Sequence, residues 1–146
     1  MKKMLLGAVA SALFSAAAIA GPTESDPNAV AYFVNLNDGD AVSGPVHVVF
    51  GLVGMGVGPA GFTKENIGHH HLFINRAPFG EGDFGADEAD FPIPADDNHK
   101  HYGKGQTETM LDLEPGTYTM QMVMGDGDHI PHNNPIFSDV ITITVE

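Results

Sequence analysis

The chain has 146 residues, with 19 acidic side chains against six basic ones, no cysteine and no tryptophan, and a formal charge of −13 with histidine neutral. That balance argues against nucleic acid and anionic lipid as partners and favours cations, whose local concentration an acidic surface raises. Without cysteine there is neither a disulfide nor a thiolate ligand, so burial must hold the fold. Any metal must then be held by His, Met, carboxylate or backbone atoms.

Residues 1–20 read as a secretory signal peptide: Lys2 and Lys3, an apolar stretch from Met4 to Ile19, and Ala18-Ile19-Ala20 as a small-residue cleavage site before Gly21. The stretch is short and alanine-rich for a membrane span, and no second apolar segment of about 20 residues follows it. These features predict an exported protein, periplasmic or alternatively secreted, without stable membrane insertion. Loss of Lys2 and Lys3 leaves four basic against 19 acidic residues, a charge of −15. Residues 21–146 suffice for a single domain.

Beyond the leader, helix signals are scarce and Gly and Pro recur, the pattern of short strands joined by turns. Strands are predicted at Val30 to Leu36, Val46 to Val53, His69 to Ile74, Thr107 to Leu113, Tyr118 to Met124 and Asp139 to Val145. Ile141, Ile143 and Val145 alternate with Thr142 and Thr144, and Tyr118, Met120, Met122 and Met124 form a similar stripe. Each pattern implies one buried face. Asn37-Asp38-Gly39-Asp40 and Glu114-Pro115-Gly116 supply turn chemistry that suits hairpins. The fold class expected is all-β, an immunoglobulin-like β-sandwich of six to seven antiparallel strands. Residues 77–98 interrupt the rhythm with Glu81, Asp83, Asp87, Glu88, Asp90, Asp96 and Asp97, and read as a long, solvated, mobile loop. Its acid spacing does not match an EF-hand calcium loop.

Three histidine-bearing strings carry the chemistry. In Gly68-His69-His70-His71, a strand places His69 and His71 on one face and His70 on the other with Leu72 and Ile74. An alternating His-x-His pair can present two imidazoles to one ion. The pair recurs in His99-Lys100-His101, and a third string, Asp126-Gly127-Asp128-His129-Ile130-Pro131-His132, occupies the turn after the Met-bearing strand. The ligand candidates are His69, His71, His99, His101, His129 and Asp128. Imidazole and carboxylate without thiolate point to copper, with zinc as the alternative ion. Met120 and Met122 read as core, while Met124, at the strand end nearest His129, and Met55 are candidate thioether ligands. His47 reads as an ordinary strand residue. No nucleophile elbow or phosphate-cradling loop is present, and Glu108 is a weak candidate for acid–base work beside a metal.

Together, Gly54-Met55-Gly56-Val57, Gly68-His69-His70-His71-Leu72, His99-Lys100-His101-Tyr102-Gly103-Lys104-Gly105-Gln106-Thr107-Glu108 and Leu113-Glu114-Pro115-Gly116 form a recognisable combination. So does Gly125-Asp126-Gly127-Asp128-His129-Ile130-Pro131-His132 downstream. The chain resembles the DUF4399 family of small exported bacterial domains, whose function is unassigned. The resemblance implies an exported β domain in which the histidine strings belong together, and it brings no catalytic residues. The segment from Asn75 to Pro92 looks longer than the family pattern.

The function expected is a periplasmic metal-binding protein for copper capture, delivery or buffering, acting with a periplasmic or membrane metal-handling protein. Two other readings compete. One is a non-enzymatic immunoglobulin-like interaction module whose histidines titrate, and the other is a small metal-dependent enzyme, which would need an open coordination position.

Overall fold

The computed structural model describes residues 22–146, so the expected signal peptide lies outside the described residues. In chain order the strands are β1 (Val30–Phe33), β2 (Ala41–Val42), β3 (Val46–Val53), β4 (Gly56–Val57), β5 (Ile67–Ile74), β6 (His99–His101), β7 (Glu108–Leu111), β8 (Gly116–Gly125) and β9 (Ile141–Val145). One 3-10 helix, Gly85–Asp90, precedes β6. All six expected strands are present in β1, β3, β5, β7, β8 and β9. The protein is all-β in these residues, and no helix among them is long and apolar enough to cross a membrane.

The strands form a three-stranded sheet, β1-β3-β7, and a six-stranded sheet in the order β2-β9-β8-β5-β4, with β6 also paired to β5. The expectation of antiparallel strands needs correction at two places, because β2 runs parallel to β9 and β4 parallel to β5. Each is a two-residue strand, too short to carry a side-chain pattern in sequence. The two turns also do a different job from hairpins. Residues 37–40 lead from β1 in one sheet to β2 in the other, and Glu114-Pro115 leads from β7 back to β8, so both connect sheets.

The sheets share one core. Val46, Val48 and Phe50 of β3 meet Leu72 and Ile74 of β5, Met120 and Met122 of β8, and Ile141, Ile143 and Val145 of β9. Each such side chain contributes roughly 1.5–3 kcal/mol on burial, which is what a fold without disulfides has to rely on. β5 is the exception to one-sided alternation, since every residue from Gly68 to Ile74 is buried. Its core-facing residues meet the three-stranded sheet, and Phe73 on its outer face is covered by the acidic segment. The segment 131–138 runs beside the second half of β8, with Met124 N–H donating to Ile136 O at 2.9 Å.

The acidic segment 77–98 is largely exposed, as expected of a solvated loop, but two apolar residues tie it to the large sheet. Phe79 and Ile93 are buried against Phe73 of β5 and Val123 of β8. Phe79 N–H donates to Gln121 Oε1 at 2.8 Å, and Glu88 pairs with Arg76 while accepting from Gly80 N–H at 2.8 Å. The apolar residues at positions 79 and 93, on either side of the acids from Glu81 to Asp90, anchor the segment. The carboxylates of Glu81, Asp83, Asp87 and Asp90 remain on the outside.

Candidate metal centre

Alternation along β5 sends His69, His71 and Phe73 to the outer face of the large sheet and His70, Leu72 and Ile74 to the core. Antiparallel pairing then sets His101 of β6 opposite His71. On the other side of β5, Gly125 ends β8 opposite His69, and the loop that follows carries His129 back over the pair. Four imidazoles converge: ligand nitrogens of His69, His71, His101 and His129 all lie within 4.8 Å of one another. His69 Nε2 is 3.1 Å from His129 Nδ1. The His71 and His101 rings stack with centroids 5.1 Å apart, and those of His101 and His129 are 4.6 Å apart edge to face.

Burial grades across the cluster. His69 and His71 have no exposed surface, His129 is half-buried and His101 is exposed, so the group opens to solvent on one side. Burial, reinforced by the neighbouring imidazoles, lowers the His69 pKa to about 4 and that of His71 to about 2. His101 is also lowered, by burial and then by His129. Desolvation and mutual repulsion both oppose the charged form of these three rings, and neutral imidazole is the form that ligates metals.

Two glycines make room for these rings. A Cβ on Gly125 would lie 2.6 Å from His71 Cε1 and 3.3 Å from His129 Cα, and one on Gly103 would lie 2.4 Å from His101 Nε2. Asp126 shapes the loop. Its buried carboxylate accepts from the N–H groups of Asp128 at 2.9 Å, Ile130 at 3.1 Å and Thr23 at 3.1 Å. Within that frame His129 adopts a left-handed φ of 67°, a conformation that persists in a non-glycine residue when its surroundings fix it. None of these three residues was a ligand candidate. The signal for two of them is a glycine placed where a side chain would otherwise fill the imidazole space.

The remaining sequence candidates lie elsewhere. His99 pairs with Phe73 rather than with a histidine. Its Nδ1 bonds Asp96 Oδ1 at 2.7 Å and its Nε2 accepts from Arg76 Nη1–H at 2.9 Å, so both nitrogens are engaged outside the cluster. The hydrogen bond from His99 holds the Asp96 carboxyl below its usual range. Asp128 is exposed and stands outside the four-histidine group. Met124 pairs with His70 across β8 and β5, on the core face, and packs with Ala31, Ile136 and Met55. Neither methionine joins the cluster. His70 packs tilted against Phe50, ring centroids 4.9 Å apart, and bonds Gln106 O through Nδ1 at 3.3 Å, while burial lowers its pKa to about 4. Glu108 pairs with His47 on the outside of the small sheet.

A test of fit comes from unpartnered nitrogens. Both ring nitrogens of His71 and Nδ1 of His69 are buried without a hydrogen-bond partner. An unsatisfied buried polar group costs roughly 1–3 kcal/mol, so a ring with neither nitrogen bonded calls for an electrophile at that point. Imidazole–metal bonds of about 2.0–2.1 Å put opposed ligand nitrogens about 4.2 Å apart, so the observed spread closes onto an ion with small side-chain rotations.

A family model described as a domain of unknown function, DUF4399, matches residues 48–146. The chain belongs to the DUF4399 family. The matched span contains all four clustered histidines together with Gly103, Gly125 and Asp126, and leaves β1 and β2 before it. Comparison with curated proteins and with solved structures gave no match.

Proposed function

We propose that this DUF4399 protein is an exported, periplasmic metal-binding protein that holds one copper ion through His69, His71, His101 and His129, for capture, delivery or buffering. The observation that carries the reading is the meeting of three chain segments in one group of four imidazoles, one of them with both nitrogens buried and unpartnered. Copper is preferred over zinc because divalent copper stands highest in the affinity order for nitrogen sites. The leader-like residues 1–20 and the absence of cysteine support export. Two facing sheets around one core support the immunoglobulin-like reading of the fold. The competing reading of an interaction module switched by histidine charge is weakened by burial: His69 and His71 resist protonation near neutral pH.

Calorimetric titration of the metal-free protein with Cu(II) and with Zn(II) tests this, with electron paramagnetic resonance reporting nitrogen coordination of copper. One ion per chain is expected, with affinity reduced at least tenfold in His71→Ala and in His101→Ala and unchanged in His99→Ala. Equal affinity in wild type, His71→Ala and His101→Ala would refute the site.

A further inference from the structure

Beside the cluster, the acidic segment builds a second surface that metal binding does not use. Phe84 and Phe91 flank the 3-10 helix with ring centroids 6.3 Å apart, and they are 69% and 56% exposed. With Pro92, Ile93 and Pro94 they line an apolar groove of about 540 Å³. Its floor is electrically spent, since Arg76 is paired with Glu88 and both nitrogens of His99 are bonded. The chain that carries the two rings is acidic: Glu81 and Asp83 precede Phe84, Asp87 and Asp90 lie between Phe84 and Phe91, and all four are exposed and make no ion pair among the described residues.

Exposed aromatic rings in an apolar groove on a charged segment mark an interaction surface, and the sign of that charge selects the occupant. A second copy of this chain, with four basic residues against 19 acidic ones beyond the leader, would bring like charge to the segment. We infer that the groove docks a cationic amphipathic segment of a partner protein, with apolar side chains between Phe84 and Phe91 and Lys or Arg against the four carboxylates. The position gives docking a purpose. Ile93 N–H donates to His129 O at 2.8 Å, and His99 at the groove floor is two residues from His101 on β6. An occupied groove therefore lies one backbone hydrogen bond from a clustered histidine. Docking itself stands on the groove, while its role in metal transfer rests on the proposed function.

The test uses a synthetic peptide alternating Lys and Leu as probe, with Lys/Ser and Glu/Leu peptides beside it. Binding to isotope-labelled protein is followed by amide chemical shifts, with and without chelator. The Lys/Leu peptide is expected to shift residues 79–99 and to lose at least tenfold in affinity against Phe84→Ser/Phe91→Ser and against Asp87→Asn/Asp90→Asn. The control peptides should bind at least tenfold more weakly. Shifts spread over the acidic surface and indifferent to loss of the two rings would reduce the effect to charge attraction and overturn the inference. Self-association of the free protein that Phe84→Ser/Phe91→Ser abolishes would assign the groove to a second copy and overturn the stated occupant. Peptide docking that persists in a protein that binds no copper would sink the metal reading alone, and copper binding without peptide docking would sink this inference alone.

Discussion

Acidification of the metal-free protein gives the sharpest check on the buried histidines. His69 and His70 have folded-state pKa values near 4 and His71 near 2, whereas each titrates near 6.5 in an unfolded chain. A depressed folded pKa means the unfolded state takes up protons first, so stability is complete above about pH 6.5 and is lost as pH falls toward the folded values. At about pH 5 the gap of ~1.5 units costs about 2 kcal/mol per histidine, or ~6 kcal/mol for the three. Total stability of a domain this size is about 5–15 kcal/mol, so the metal-free protein should stand close to unfolding there. Guanidinium denaturation followed by circular dichroism at about pH 7 and pH 5 measures the difference. His70→Gln should remove about a third of it, because His70 sits apart from the cluster on the core face. Excess copper should lift the stability at about pH 7 by about 2.7 kcal/mol at 100 times Kd. A stability that changes by less than about 1 kcal/mol between the two pH values would refute the buried neutral histidines.

Gly125→Ala should place its methyl against the His71 ring and cost about 1–3 kcal/mol of stability, with copper affinity falling at least tenfold by calorimetry. Asp126→Ala strips acceptors from three backbone N–H groups; denaturation should show a loss of about 2–4 kcal/mol and titration a weakened ion as His129 leaves its left-handed conformation. Met124→Leu should leave copper affinity unchanged in the same titration, since Met124 packs on the core face with Ala31 and Ile136. Met122→Ala should lower stability by about 2–5 kcal/mol through a core cavity while preserving one ion per chain.

The strands and the His69–His71 pair were legible because side-chain alternation is a local property, written in residues two apart. What joins segments was not. Both His99 and His101 face the same way on β6, and only the antiparallel register decides that His101 meets His71 while His99 meets Phe73. One step further along the register, position 103 is a glycine, so the strand offers one imidazole to the cluster and not two. The same logic misplaced Asp128. Two acids two residues apart in a turn look equivalent in sequence, but Asp126 turns inward to hold backbone N–H groups and Asp128 turns to water. Met124 was close to His129 along the chain and is separated from the cluster by the sheet itself. In the acidic segment the seven carboxylates masked the packing signal of Phe79 and Ile93, which holds the segment down.

The four clustered histidines come from three stretches of chain, 69–71, 101 and 129. An ion held by all of them closes loops of about 30 and 60 residues, the topological work that disulfides do in many exported proteins and that a chain without cysteine cannot otherwise obtain. Unlike a disulfide, such a clasp is released when the chain unfolds, so it acts by favouring the folded state and slowing its opening. Proteolytic half-life should therefore rise with copper loading, and the protein's persistence in its compartment would itself become a gauge of how much ion is there.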